Sequence, residues 1–205
     1  MRVALFGGTF DPPHVGHLLA ASDAHEHLAL DQLVFVPAAR QPLKEAGSAA
    51  APHHRVRMLE LMIEGDRRFA VDPVEIDRTG LSYSVDTLEE FARRLPEAKR
   101  YFLLGEDTFA TLGQWREPAR VVALAHMAVL ARSAGRSEAP IGQEEVARRV
   151  LAIGGGGAAP PAVLGTRRVD VSSTEVRERV RSGRSIRGFV TERVAQYIDA
   201  NSLYR

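Results

Sequence analysis

The chain opens with a strand, a glycine-containing turn and a helix, and this succession constrains the fold more than any other feature. Val3–Phe6 has the apolar character of a buried strand, and Val15–Leu28 has the pattern of a helix. The turn lies within Gly7–His17, a stretch that holds three glycines and two histidines. A glycine-rich turn at a helix N-terminus leaves backbone N–H groups available to a phosphate. The sequence therefore predicts an anion-binding turn directly after the first strand.

The rest of the chain continues the alternation of strands and helices. Further strands are predicted at Leu33–Val36, Phe69–Val71, Val74–Ile76, Tyr101–Leu104, Met127–Leu130 and within Val163–Val171. Further helices are predicted at His53–Glu64, Ser84–Leu95, Ala119–Ala125, Glu144–Leu151, Ser173–Arg181 and Thr191–Ala200. This alternation predicts an α/β fold, Rossmann-like and doubly wound, with a mostly parallel sheet and helices on both faces. Ligands of such folds bind beyond the carboxyl ends of the strands, where Gly7–His17 is expected.

Composition narrows the class of protein further. The 205 residues are 45% hydrophobic and 26% charged, which favours one globular domain over 1–205. A formal net charge of +1 is too small to attract nucleic acid or an acidic membrane by overall electrostatics. The absence of cysteine excludes disulfides, thiol nucleophiles and cysteine–zinc sites. Because no stretch approaches 18 apolar residues and no signal peptide precedes the first strand, we expect a cytoplasmic protein without a membrane or nucleic-acid partner.

The two histidines of the turn are candidate side-chain donors. His14 and His17 are three residues apart at the mouth of the predicted helix, so both can reach the same anion. A zinc site is the alternative, but a third ligand is lacking unless His53 or His54 supplies it. Gly16, between the two histidines, lets a bulky anion approach the backbone closely. Phosphate recognition without a protein-bound metal is the simpler interpretation.

A second candidate anion site lies near the end of the chain. Ser172 and Glu175 have the spacing of a capping box, which predicts a helix N-terminus there. The first N–H groups of that helix and the hydroxyls of Ser173 and Thr174 can donate to phosphate oxygens, and Arg177 lies one turn further. The alternative is a capped helix with an exposed arginine, and capping is compatible with phosphate binding.

Both stretches resemble motifs of the nucleotidyltransferase superfamily. Gly8–His17 is similar to its Gly-x-Phe-Asp-Pro-x-His-x-Gly-His motif, and Val171–Arg177 resembles its Ile-Ser-Ser-Thr-x-x-Arg motif. Pro37–Lys44 resembles the Pro-x-x-x-x-Pro-His-Lys loop of one branch, the bacterial nicotinate-nucleotide adenylyltransferases, with Leu43 in place of the histidine.

Two further stretches resemble segments of the same branch. Leu81–Leu88 is similar to its Ser-Tyr-Thr-x-Asp-Thr-Leu segment, with Ser84 in place of the threonine. Gly105–Phe109, followed by Trp115, is similar to its Gly-x-Asp…Trp segment.

The resemblance implies an enzyme of NAD biosynthesis that moves AMP from ATP to nicotinate mononucleotide and releases pyrophosphate. The implied catalytic donors are His14, His17 and Lys44. The implied ATP contacts are Gly7, Gly8, Thr9, Phe10, Gly16, Gly105, Asp107, Ser172, Ser173, Thr174 and Arg177. The implied acceptor contacts are Tyr83, Ser84, Thr87 and Trp115. Mg²⁺ is expected to arrive with ATP, held by phosphates and water, and the helices of about 172–205 are expected to complete the phosphate site.

Several alternatives remain open from the sequence. The acceptor could be nicotinamide mononucleotide or phosphopantetheine, and a non-catalytic nucleotide sensor is a rival of another class. Trp115 is equally explained as a packing residue, and Asp107 as a helix N-cap. The oligomeric state is also open, a homo-oligomer included.

Overall fold

Six strands form one parallel sheet in the computed structural model, which describes residues 1–40, 48–78, 80–132, 141–154, 160–167 and 169–205. The strands are β1 (Arg2–Gly8), β2 (Gln32–Pro37), β3 (Phe69–Val71), β4 (Lys99–Gly105), β5 (His126–Arg132) and β6 (Ala162–Thr166). Their order is β3-β2-β1-β4-β5-β6, and each neighbouring pair is parallel. The predicted α/β fold class is confirmed.

The helices cover both faces of the sheet. They are α1 (Val15–His27), α2 (Pro52–Ile63), α3 (Val74–Asp77), α4 (Ser84–Arg94), α5 (Glu106–Ala110), α6 (Pro118–Leu124), α7 (Gln143–Ala152), α8 (Ser173–Arg181) and α9 (Glu192–Ala200). One face packs against α1, α2, α8 and α9, and the other against α4, α6 and α7. No helix within the described residues is both long and apolar enough to cross a membrane.

The buried parts of the central strands are continuous apolar runs because both faces of each strand are covered. In β1, Ala4 and Phe6 join the core under α1 and α2, whereas Val3 and Leu5 join the core under α4 and α6. This alternation explains why the sequence shows an unbroken apolar run there rather than an alternating one.

The predicted strand at Val74–Ile76 is wrong, because these residues form the one-turn helix α3. The Asp72 carboxylate accepts the N–H of Val74 at 3.0 Å, and the Pro73 carbonyl accepts the N–H of Ile76 at 2.8 Å. Local turn chemistry therefore satisfies the backbone groups that a strand would have used for pairing. The short helix α5 was considered only through the alternative role of Asp107 as a helix N-cap, and the 3₁₀ turn at Leu112–Gln114 was not predicted.

The strand order places a switch point at the centre of the sheet. From β1 the chain proceeds through β2 to β3 at one edge, and from β4 through β5 to β6 at the other. The connections that leave β1 and β4 therefore diverge and open a crevice at the carboxyl ends of these two strands. Gly7–His17 and Gly105–Trp115 both follow strands at this crevice.

Candidate active site

The turn after β1 is shaped by an aromatic ring folded beneath it. Phe10 has a φ of 51°, is 2% exposed, and packs edge-on against His17 with ring centroids 5.0 Å apart. A Cβ at Gly8 would lie 2.8 Å from the tip of the Phe10 ring, so glycine is required for this packing. Since the ring is in the core, any contact of Phe10 with ATP falls to its backbone.

The two histidines of the turn lie against each other. Their rings are stacked with centroids 3.7 Å apart and an interplanar angle of 28°. His14 is the N-cap residue of α1 and is buried, and His17 is half-buried beside it. A Cβ at Gly16 would lie 3.0 Å from Nδ1 of His14, so this glycine makes room for an imidazole. Room for the His14 ring is therefore a second reason for glycine here, and the predicted close approach of an anion at Gly16 stays a prediction.

The protonation state of His17 follows from its surroundings. Burial, and secondly the neighbouring His14, hold the pKa of His17 well below its usual value, so the ring is neutral. Its Nδ1 accepts the backbone N–H of His14 at 3.2 Å. A neutral imidazole that accepts at Nδ1 carries its proton at Nε2, so His17 presents an Nε2–H donor.

The second motif lies directly against the first. Ser172 caps α8 by accepting the N–H of Glu175 at 3.1 Å, which confirms the predicted cap. The hydroxyl of Ser173 donates to the Pro12 carbonyl at 2.8 Å, and Nη1 of Arg177 donates to the Asp11 carbonyl at 2.7 Å. The two candidate anion sites therefore converge, and Ser173 joins them through its hydroxyl.

Arg177 is also held within its own helix. Its Nη2 donates to the hydroxyl of Thr174 at 3.2 Å. The guanidinium is thus positioned by α8 on one side and by the first turn on the other.

The predicted acceptor segment begins α4. Tyr83 is the N-cap residue and Ser84 the first helical residue. Thr87 is 2% exposed, and its hydroxyl donates to Glu75 at 2.7 Å. Burial raises the pKa of Glu75, although the hydrogen bonds from Thr87 and Ser82 oppose that shift. The Thr87 hydroxyl therefore points into the protein, where its bond to Glu75 holds the first turn of α4 in place.

Trp115 lies beside that segment. Its ring packs edge-on against Phe102 with centroids 6.1 Å apart, and its Nε1 donates to the Thr111 hydroxyl at 3.1 Å. The next residue, Arg116, places its guanidinium 4.9 Å from the centre of the Tyr83 ring. Arg116 therefore links the Tyr83 ring to the chain position next to Trp115. The sequence analysis did not identify Arg116 as part of the site.

Gly105 and Asp107 lie where β4 passes into α5, at the same crevice as the first turn. Gly105 ends β4 and is the N-cap residue of α5, so the alternative role of Asp107 as N-cap is wrong. Asp107 is exposed in the first turn of α5. Lys44 lies outside the described residues, as does Leu43. Among the described residues there is no group of three or more His, Asp or Glu side chains suited to a metal ion.

Sequence reasoning also missed a buried cluster beneath the turn. The carboxylate of Asp11 accepts hydrogen bonds from Ala49, Ala50 and Tyr204, and the fully buried Arg55 donates to the Thr9 carbonyl at 2.8 Å. Tyr204 and Asp11 are 193 positions apart, so no local spacing could have revealed their contact.

Comparison with known proteins identifies the family and the fold. A sequence model of the cytidylyltransferase-like family matches residues 5–179. The solved structure of Plasmodium falciparum nicotinic acid mononucleotide adenylyltransferase complexed with NaAD shares the fold. The TM-score is 0.75 at 17% identity, over 99% of this chain and 97% of that one.

Two curated relatives match over the whole of this chain. A probable nicotinate-nucleotide adenylyltransferase of Gemmatimonas aurantiaca is 48% identical over all of this chain and 93% of the relative. One from Thermus thermophilus is 40% identical over the full length of both. With its converging motifs and these relatives, the chain belongs to the nicotinate-nucleotide adenylyltransferase family, within the cytidylyltransferase-like proteins.

Proposed function

We propose that the protein transfers AMP from ATP to nicotinate mononucleotide, forming nicotinate adenine dinucleotide and pyrophosphate in NAD biosynthesis. The observation that carries the proposal is the contact of Arg177 with the Asp11 carbonyl, three residues before His14. This contact places Arg177, from the end of the chain, beside the turn that carries His14 and His17, at the carboxyl end of β1. The full-length relatives at 48% and 40% identity support the same activity.

The histidines act at the phosphorus that is attacked. The acceptor phosphate is already a nucleophile at neutral pH, so the protein positions the reactants and stabilises developing charge. The Nε2–H of His17 donates to an oxygen of the α-phosphoryl group, with His14 stacked beside it. Because Nδ1 of His17 accepts the backbone N–H of His14, the proton stays on Nε2, and its hydrogen bond to the phosphoryl oxygen strengthens as that oxygen gains negative charge.

The N-terminus of α8 holds the departing pyrophosphate. Its first N–H groups lack intrahelical partners, and the helix dipole favours an anion there. Arg177 keeps its contact with the Asp11 carbonyl and offers its remaining guanidinium N–H groups to the phosphate oxygens. Lys44 is proposed as a third cation that moves with the phosphates. ATP enters as its Mg²⁺ complex, because a metal held by phosphates and water needs no carboxylate cluster.

The acceptor occupies the region of Tyr83 and Trp115. Trp115 offers an aromatic surface to the pyridine ring, and the N-terminus of α4 at Ser84 favours the negative charge of a carboxylate. Thr87 contributes indirectly, because Glu75 holds its hydroxyl inside. Gly105 and Asp107 lie at the same crevice beside β1, where ATP is proposed to bind.

The test is to measure pyrophosphate release from ATP with nicotinate mononucleotide and nicotinamide mononucleotide in parallel reactions. We expect the higher kcat/KM with the acid. Faster release with the amide, or with phosphopantetheine, would reassign the acceptor. ATP binding without release with any acceptor would identify a nucleotide sensor instead.

The biological setting is part of the proposal. We propose a cytoplasmic enzyme that uses two small molecules as substrates and has no nucleic-acid or membrane partner. Homo-oligomer formation is tested by measuring the mass of the purified protein in solution.

A further inference from the structure

The carboxylate of Asp11 joins three separate parts of the chain beneath the proposed phosphate site. Asp11 is 4% exposed. Its Oδ2 accepts the N–H of Ala49 at 2.6 Å, and its Oδ1 accepts the N–H of Ala50 at 3.1 Å and the hydroxyl of Tyr204 at 2.7 Å. Three hydrogen bonds to one buried carboxylate fix the side chain, and through it the backbone of the turn.

Two aromatic residues with positive φ adjoin Asp11, one as its chain neighbour and one as its hydrogen-bond donor. Phe10, which precedes Asp11, has a φ of 51°, and Tyr204, which donates to it, has a φ of 65°. Bulky side chains rarely adopt positive φ, and they do so where surrounding contacts enforce the conformation. The chain around Tyr204 is therefore held in a costly conformation that delivers its hydroxyl to Asp11.

A buried arginine completes the cluster. Arg55, on α2, is fully buried, and its Nη1 donates to the Thr9 carbonyl at 2.8 Å. Burial lowers the pKa of Arg55, and the negative charge of Asp11 opposes that shift. Its Nε and Nη2 have no hydrogen-bond partner among the described residues. Thr9 and Asp11, two residues apart in the same turn, are thus both held by hydrogen bonds from groups beneath it.

The upper side of the same segment faces Arg177. The carbonyl of Asp11 accepts from Arg177, and the carbonyl of Pro12 accepts from Ser173. A shift of the Asp11 carboxylate therefore moves the carbonyl groups that position α8. The Tyr204 hydroxyl is therefore connected to the proposed pyrophosphate site through Asp11 and Arg177, without contacting the ligand itself.

We propose that Tyr204 is a positioning residue for ATP, acting through Asp11 on the placement of Arg177. The inference rests on the proposed function only for the identity of the ligand, which is a nucleoside triphosphate. The Tyr204 hydroxyl remains a donor at any working pH, because burial and the adjacent carboxylate both raise its pKa.

The chain offers a matched control for the test. Tyr197, on α9, also uses its hydroxyl for a single long-range contact, to Nδ1 of His54 at 2.8 Å. His54 neighbours Arg55 in α2, so both tyrosines tie the end of the chain to the same helix region. Only Tyr204 touches the turn that contacts Arg177. Tyr204→Phe and Tyr197→Phe each remove one hydroxyl and keep the ring.

The experiment measures three quantities for both variants and the parent: the thermal midpoint, the KM for each substrate, and the Kd of a non-hydrolysable ATP analogue by calorimetry. For Tyr204→Phe we expect the KM for ATP and the Kd of the analogue to rise about tenfold, since a hydrogen bond to a charged group is lost. The KM of Tyr204→Phe for the acceptor is expected to stay within about twofold of the parent value. For Tyr197→Phe, both KM values and the Kd of the analogue are expected to stay within about twofold.

A double variant separates positioning from stability. If the hydroxyl acts through the carboxylate, Asp11→Asn and Tyr204→Phe together weaken analogue binding no more than Asp11→Asn alone. The inference is overturned if Tyr204→Phe lowers the thermal midpoint but binds the analogue as tightly as Tyr197→Phe does. A parent protein that binds the analogue but releases no pyrophosphate would reject the proposed function, while the binding measurements would still decide this inference.

Discussion

The proposed ATP side and the proposed acceptor side of the crevice are built differently. On the ATP side, Arg177 and Ser173 reach backbone carbonyls at 2.7 Å and 2.8 Å, above a buried carboxylate. On the acceptor side, the exposed Arg116 is 3.9 Å from Asp86 and 3.6 Å from Glu117, beyond hydrogen-bonding distance.

The difference matches the demands on each side. Transfer to phosphorus requires donors fixed where charge develops, and preorganised donors do not have to reorient during the reaction. An acceptor site selects among similar small molecules, and adaptable side chains can close around the ring that enters. We therefore expect substitutions on the ATP side to affect catalysis more strongly than those on the acceptor side.

The largest effect is expected from His17→Ala. Loss of one preorganised donor to a transition-state oxygen costs about 10²–10³ in rate, so kcat for pyrophosphate release should fall by at least that factor. The exposed His53 provides the control, since His53→Ala should retain the parent rate. A folded His17→Ala variant that turns over within about threefold of the parent would contradict the catalytic role.

A smaller effect, on affinity rather than rate, is expected from Arg177→Ala. Removing a charge-assisted contact to phosphate should raise the KM for ATP by about 10–100-fold. Arg181, one turn further along α8, is exposed and serves as the control in Arg181→Ala. An unchanged KM for ATP in steady-state assays would show that Arg177 has only the structural contacts to Asp11 and Thr174.

On the acceptor side, Trp115→Ala tests the proposed stacking. We expect the KM for nicotinate mononucleotide to rise about tenfold, because a stacked aromatic pair contributes about 0.5–1.5 kcal/mol beyond area burial. The KM for ATP should change little. The reverse pattern, with ATP affected and the acceptor not, would place the indole on the other side of the crevice.

The smallest effects are expected in the pH dependence of stability, with opposite signs on the two sides. The pKa of His17 is lowered from 6.5, so below that pH the unfolded chain takes up a proton first and the folded state loses stability as pH falls. The pKa of Glu75 is raised from 4.5, so the folded state loses stability as pH rises through that region. One group contributes at most about 1.4 kcal/mol per pH unit.

Thermal unfolding of the parent, His17→Gln and Glu75→Gln between about pH 4 and pH 7 measures both slopes. Relative to the parent, His17→Gln should gain stability as pH falls, and Glu75→Gln should gain stability as pH rises. Parallel curves for all three proteins would mean that neither group titrates differently on folding. His54 and His126 also have lowered pKa values and remain in every variant, so their contribution cancels.

Local patterns in the sequence predicted the elements whose hydrogen bonds and packing repeat regularly. The buried strand at Tyr101–Leu104 and the cap at Ser172 were both confirmed, because an apolar run and a capping spacing report directly on local structure. Val74–Ile76 failed because the Asp72–Pro73 turn outweighed its apolar character. Thr87 lies in the predicted segment, but the direction of its hydroxyl depended on Glu75, which no spacing indicates.

The sequence by itself determined the α/β class and the two stretches with phosphate-binding character, because both follow from residues close together in the chain. The resemblance implied that both stretches contact one ATP, but only the tertiary structure revealed that they touch through Arg177 and Asp11, 166 positions apart, and that Tyr204 donates to the Asp11 carboxylate. The physical reason is that contacts between distant segments depend on the packing of whole helices against the sheet. The apolar periodicity of a helix shows which of its faces is buried, but not which distant segment that face packs against.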